Sequence, residues 1–271
     1  MPGGVGPGTF VHSVLEGLDF AAADLDADLA ACIDRERART PTDIGDPALV
    51  AAGLRAAIET PLGPLVSEAR LRDIVVADRI DELGFELPLV GGDGPTGELS
   101  VAQVGRLLAE HLPPGDLLAG YAEHLGDPSL GDGLRGYLSG SLDLVLRTRD
   151  ASGVPRFAVV DYKTNRLGDD GEALSAWHYR PAALSEAMYR SHYPLQALLY
   201  LAALHRYLRW RLPGYSPEAN LAGVLYLFVR GMSGAATPRV EGQPCGVFAW
   251  RPPPALVEAL SDLLDRGRWG R

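Results

Sequence analysis

The chain has 271 residues, 46% of them apolar and 22% charged, with two cysteines and a formal net charge of −10. That size fits one large domain or two small ones, and the composition is that of an ordinary globular protein, with no run of about 18 apolar residues to span a membrane. The negative balance argues against a surface that grips nucleic acid everywhere, and leaves a narrow local channel as the way such a chain would admit DNA.

In chain order, residues 1–7 lack the basic stretch and apolar core of a signal peptide and read as a flexible leader. Cys32 and Cys245 are far apart and in no metal-like spacing, so a reducing cytoplasm is the expected setting. Residues 10–37 carry Phe10, Val11, Val14, Leu15 and Leu18 at helical spacing, with Thr9 as a candidate cap. Acidic residues crowd this region: Asp19, Asp24, Asp26, Asp28, Asp34 and Glu36. Asp46-Pro47 opens a further helix, and residues 67–80 are predicted as another. Residues 83–90 alternate as an edge strand, and residues 91–95 form a turn. Two short helices, over 100–112 and 115–125, flank Pro113-Pro114. Residues 136–147 and 156–163 read as a strand hairpin, followed by helices over 172–190 and 193–211. Strands are expected over 221–229 and 246–250, and a last helix over 254–267. The pattern is α/β, with an N-terminal helical region and a small mixed sheet flanked by helices.

Chemistry concentrates in the hairpin. Lys163 is the only lysine in the chain, and an ammonium is a compact point charge where arginine is a planar fork. Asp161 lies two residues before it, so on a strand both project from one face. Asp143 sits within the apolar run of the partner strand, where a charge is costly unless paired or metal-bound. Two carboxylates suit Mg²⁺, which activates water and polarises a phosphodiester, with Lys163 stabilising the developing charge. The alternative for Asp161 and Lys163 is a surface ion pair. Gln196 and Tyr200, four apart, share a helix face and are candidates to touch DNA or the metal site, or else to form a half-buried face. His12, among apolar neighbours, is either a hydrogen-bonded core residue or a ligand, and imidazole suits Mn²⁺ better than Mg²⁺. Arg206 and Arg209, with His205 and Arg211, form a late basic cluster that is a candidate DNA contact.

The order G-T-x-x-H, G-x-x-D, D-Y-K-[ST]-N and Q-x-x-x-Y resembles the RecB-type nucleases of the PD-(D/E)xK superfamily. The stretches 160–168, 193–209 and 223–231 carry the resemblance, which runs from about Gly8 to about Trp250 with little to anchor it between 40 and 130. It implies a restriction-endonuclease-like core. It also implies a single RecB-type nuclease domain over 8–271, with a helical part to about 130, a catalytic α/β core over 131–251 and a C-terminal helix over 254–267. His12, Asp143, Asp161 and the backbone carbonyl of Tyr162 would bind a divalent ion, Mg²⁺ with Mn²⁺ or Ca²⁺ as substitutes. Lys163 would be catalytic beside Asp143 and Asp161, while Gln196 and Tyr200 would complete the motif set. The implied activity is deoxyribonuclease action of the exodeoxyribonuclease V type in double-strand-break repair and recombination. The implied partners are a single DNA strand and the RecC and RecD subunits. The family's helicase part has no counterpart here: no G-x-x-x-x-G-K-[ST] loop occurs, so no ATP site is expected. Two alternatives stand beside this reading, a non-cleaving DNA-binding or docking module and a stand-alone endonuclease of the same superfamily.

Overall fold

The computed structural model describes residues 2–94, 99–126, 134–169 and 171–270. Helix α1 (Val5–Glu16) begins inside the expected leader, and its Pro7 is buried, so residues 5–7 are a first helical turn. Proline is tolerated there because first-turn N–H groups have no partner within the helix. Thr9 lies inside α1 and caps nothing. The long helix expected over 10–37 is broken: α2 (Leu25–Arg39) starts anew at Asp24, whose carboxylate accepts from Ala27 N at 3.0 Å. The acidic crowding therefore has a local cause. Asp24 caps α2, and Asp26 and Asp28 stand at the positive end of its dipole.

Helix α3 (Pro47–Glu59) opens as its Asp-Pro pair predicts, with Asp46 accepting from Ala48 N at 2.8 Å. The helix expected over 67–80 does not form. Ser67 and Glu68 take left-handed φ values of 57° and 62°, and only three-residue 3-10 turns follow, at Leu71–Asp73 and Val76–Asp78. The Asp73 carboxylate accepts from Arg70 N at 2.9 Å and from its guanidinium at 2.7 Å. Such local side-chain bonds compete with helical ones. After β1 (Arg79–Leu89) come α4 (Val101–His111), capped reciprocally by Ser100 and Gln103, and a short α5 (Tyr121–Leu125). The segment expected to be helical from 115 is instead turned as far as Gly120, where Asp116 accepts from Leu118 N at 2.8 Å.

Strands β2 (Gly136–Arg149) and β3 (Pro155–Lys163) form the expected antiparallel hairpin. The helix expected over 172–190 is shortened to α6 (Pro181–Arg190), preceded by a 3-10 turn at Ala176–Tyr179. Arg180, before a proline, is held extended at ψ 156°. Then follow α7 (Tyr193–Arg211), α8 (Pro217–Asn220), β4 (Leu221–Phe228), β5 (Arg239–Val240), β6 (Gln243–Pro244), β7 (Val247–Trp250) and α9 (Pro254–Arg266). Pro95 of the expected turn, and the boundary placed between residues 130 and 131, lie outside the described residues.

The main sheet runs β1-β2-β3-β4-β7, with β3 and β4 parallel and the other neighbours antiparallel. Strand alternation sends Leu144, Val160, Tyr162, Leu225 and Leu227 into a core shared with α1, α2 and α3. Val145, Val159, Val224, Tyr226 and Phe228 face the other way, against α4 to α7 and α9. The result is three layers, with helices on both faces of a mixed sheet. Phe10, Val11, Val14 and Leu15 seat α1 on the sheet, each burial stabilising by about 1.5–3 kcal/mol. On α7, Ala197, Leu198, Leu201, Ala202, Leu204 and Leu208 are buried, while Leu195 and Leu199 are half-buried. No described helix is long and apolar enough to cross a membrane.

Candidate active site

The hairpin register pairs Leu144 with Val160, and one further step sets Asp143 across from Asp161. Asp143 Oδ2 accepts from Tyr162 N at 3.0 Å. Asp161 is 2% exposed, and its Oδ2 lies 2.6 Å from Lys163 Nζ, the strand period having put both side chains on one face. Burial pushes the Asp161 carboxyl up to about 6, against the pull of the Lys163 ammonium, with the Asp143 charge raising it further.

Lys163 is held from the α7 side. Its Nζ donates to Gln196 Oε1 at 3.3 Å and lies 4.0 Å from the Tyr193 ring centroid and 5.2 Å from that of Tyr226. Tyr226 OH donates to the same Gln196 oxygen at 3.0 Å, and Gln196 Nε2 donates to Tyr200 OH at 2.9 Å. Gln196 and Tyr200 thus reach the cluster through the ammonium. Burial raises the Tyr200 and Tyr226 hydroxyl pKa values, as do the Asp161 and Asp143 charges, so both stay protonated. Sequence reasoning gave Tyr193 and Tyr226 no role. Tyr193 stands one turn before Gln196, and Tyr226 faces Asp161 in the parallel β3–β4 register; only the first of these spacings is readable along the chain.

His12 arrives from α1. Its Nε2 is 2.8 Å from the Tyr162 carbonyl oxygen and its Nδ1 is 3.2 Å from Asp143 Oδ2. Both neighbours are acceptors, so the imidazolium, with two N–H donors, satisfies both. Burial lowers the His12 pKa, but the Asp143 hydrogen bond and charge, the Asp161 charge and the Tyr162 carbonyl together outweigh it and raise the value. Gly8, one turn earlier, lets α1 approach: a Cβ there would lie 3.2 Å from Thr164 Oγ1, just beyond Lys163.

Among the described residues, no three His, Cys, Asp or Glu side chains are drawn together as a ready-made ion cage: His12 faces Asp143, and Asp161 faces Lys163. The donor set still suits a hard divalent ion. Two carboxylates and a main-chain carbonyl meet at one strand end, and the buried Asp161 Oδ2 has an ion-pair contact but no well-directed hydrogen bond.

The late basic cluster is elsewhere. Arg206 Nε donates to Ser261 Oγ at 3.0 Å and its guanidinium donates to Ser261 O at 2.6 Å, pinning α7 to α9. Arg209 is exposed beside Tyr215, Glu258 and Asp262. Along α7 they lie roughly 15 and 20 Å beyond Gln196, at 1.5 Å per residue. The structure thus keeps both apart from the carboxylates and Lys163, with Arg206 turned into the fold and Arg209 on the surface. His205 is buried, with Nδ1 2.9 Å from Tyr215 OH; burial and the two neighbouring arginines lower its pKa to about 4, so it carries no charge at neutral pH.

Two acidic side chains and a lysine at the end of a hairpin, in a mixed sheet layered by helices, define a core of the restriction-endonuclease type. The chain belongs to the PD-(D/E)XK nuclease superfamily, which it matches over residues 4–265 and which is generally metal-dependent. It is 53% identical to the RecBCD enzyme subunit RecB of Mycobacterium tuberculosis (strain CDC 1551 / Oshkosh), over 99% of this chain and 24% of that protein. The identity is 51% to the RecB of Mycolicibacterium smegmatis, over 98% of this chain and 24% of that one. With the RecB of Escherichia coli (strain K12) it is 30%, over 97% and 19%. The chain therefore spans about a quarter of the length of these first two relatives.

Proposed function

We propose that this chain is a metal-dependent DNA nuclease domain that hydrolyses phosphodiester bonds within a RecBCD-type assembly, in double-strand-break repair and recombination. The observation that carries this reading is the fixed position of Lys163: its ammonium is 2.6 Å from Asp161 and bonded to Gln196, at the strand end where both carboxylates meet. Such a pre-set cation has its best use in stabilising charge that grows on a phosphate. Asp143, Asp161 and the Tyr162 carbonyl would hold Mg²⁺, or Mn²⁺ or Ca²⁺ in its place. A bound divalent ion supplies Lewis acidity toward the phosphate and lowers the pKa of an attacking water.

The chain's own groups divide the remaining work. Gln196, Tyr226 and Tyr193 hold Lys163 in place, and Tyr200 anchors Gln196. His12 keeps Asp143 and the Tyr162 carbonyl aligned while protonated. To serve as a ligand itself it must first release a proton, because an imidazolium has no free lone pair. The substrate of this reading is a DNA strand admitted to the cleft, the setting is the cytoplasm, and the RecC and RecD subunits are the partners. Strand separation falls to helicase motifs outside these 271 residues.

Incubating the 271-residue protein with linear and circular DNA in Mg²⁺ and in Mn²⁺ tests the reading. Cleavage in the presence of metal, abolished by EDTA, is the expected result. No cleavage with either metal would instead support a non-cleaving module, and cutting at a fixed sequence a stand-alone endonuclease.

A further inference from the structure

Because β3 and β4 are parallel and Lys163 pairs with Phe228, the connections that follow them leave the sheet at the same end. In α/β sheets ligands gather beyond the carboxyl ends of parallel strands. Here those connections carry Arg166 and Arg230, with Arg180 a little later in the first of them. Arg230 Nε donates to Thr164 O at 2.8 Å, one residue past Lys163. Arg166 donates to Asp169 O at 2.8 Å and to Glu172 O, and Arg180 donates to Trp177 O at 3.0 Å. The two connections are locked together by Tyr179. Its hydroxyl donates to Asn165 O at 3.0 Å, and its side chain lies so close to Gly231 that a Cβ there would be 2.3 Å from Tyr179 Cβ and 2.4 Å from the ring.

Bonds to main-chain carbonyls hold a guanidinium in place without neutralising it. Among the described residues, neither Arg166 nor Arg180 has a carboxylate within ion-pair distance, whereas Arg39, Arg55, Arg70, Arg147 and Arg239 each do. The described acids on the same loop, Asp169 and Glu172, do not cancel this charge. Asp169 is exposed and receives Arg166 only through its carbonyl, and the Glu172 carboxylate is taken up by His178 Nε2 at 3.2 Å. Beside them Trp177 is 61% exposed, with the Arg180 guanidinium 4.8 Å from its ring centroid. In a chain of net charge −10, positive charge and an open aromatic ring meet at the active-site end.

We propose that Arg166, with Arg230 and the Trp177–Arg180 pair, docks the nucleic-acid strand next to the phosphate being cut. The guanidinium groups would receive flanking phosphates and the indole one base. The planar fork of arginine matches phosphate oxygens in pairs, and stacking on an exposed aromatic ring is indifferent to base identity. This proposal rests on the nuclease reading, and it adds strand-positioning residues outside the motif set.

The test is fluorescence anisotropy of a labelled single-stranded oligonucleotide in EDTA, which prevents cleavage, across a salt series. It uses the 271-residue protein and its Arg166→Ala and Trp177→Ala variants, each checked for an unchanged thermal midpoint. Arg166→Ala weakens binding several-fold at low salt and reduces the slope of log K against log salt by about 0.7, the value for one phosphate contact on a single strand. Trp177→Ala weakens binding roughly tenfold with the slope unchanged. Wild-type affinity and slope in both variants would overturn the docking surface while leaving the nuclease reading intact, and would leave the patch to an acidic protein segment. A wild-type protein that neither binds the oligonucleotide nor cleaves DNA would overturn both.

Discussion

In its first half α7 turns Gln196 and Tyr200 toward Lys163; in its second half it turns His205 toward Tyr215 and Arg206 toward Ser261. The first pair is formally neutral and reaches the Lys163 ammonium, while the second belongs to the basic cluster that looked suited to DNA and packs inside the fold. What decides is where each side chain's hydrogen bonds are spent. Gln196 spends its oxygen on the ammonium beside Asp161. Arg206 spends two of its nitrogens on one serine of α9, inside the fold. Charge counted along a sequence is therefore a weak guide to where a basic side chain ends up: Arg206 is turned into the fold, while Arg166 stays exposed.

The sharpest contrast between the two ends comes from Asp161→Asn, which removes the charge but keeps the shape. Cleavage falls by about 10²–10³ or more, with lowered Mg²⁺ affinity and a retained fold. Near-normal cleavage in a single-turnover assay would remove Asp161 from the chemistry. At the other end, Arg206→Ala costs roughly 3 kcal/mol of stability through two hydrogen bonds from a charged donor, measured by denaturant unfolding, and leaves cleavage unchanged. Lost cleavage at full stability would return Arg206 to the DNA.

His205 supplies a pH test of the packing end. Its folded pKa of about 4 is below the ordinary value of 6.5, so the unfolded chain takes up the proton more readily. The contribution of His205 is complete above about pH 6.5 and is lost as pH falls toward 4, by about 2 kcal/mol between neutrality and pH 5. In His205→Gln this part of the acid loss disappears; an unaltered pH profile of the thermal midpoint would contradict the assignment. The smallest expected effect is that of Gln196→Ala, which loosens Lys163 and lowers single-turnover cleavage about tenfold, or ~1.4 kcal/mol, at unchanged Mg²⁺ affinity. A fall in metal affinity instead would make Gln196 part of the ion site.

The hairpin and its Asp143, Asp161 and Lys163 were legible because strand alternation and antiparallel pairing act over short separations, and Gln196 with Tyr200 because the helical period is local. The Tyr226 contribution was hidden: it depends on a parallel register in which Asp161 pairs with Tyr226, 65 positions on, across a crossover that carries α6, α7 and α8. The Arg206 partner was hidden for the same reason, since Ser261 is 55 positions away. Residues 67–80 failed differently. Their apolar spacing suits a helix, but the Asp73 carboxylate satisfies Arg70 locally and the chain turns instead. Helix 172–190 failed because Pro181 fixes its start.

The central claim, that the chain's one lysine is the pre-set cation of a phosphodiester-cleaving site, is tested most directly by single-turnover cleavage of linear DNA in Mg²⁺. Wild type, Lys163→Ala and Lys163→Arg are compared, with metal affinity measured alongside. The account predicts that alanine costs about 10²–10³ in rate with metal affinity largely intact. It also predicts that arginine does not restore the rate, because a planar guanidinium cannot take the place of an ammonium between Asp161, Gln196 and the two tyrosine rings. Near-wild-type rates in both variants would contradict it.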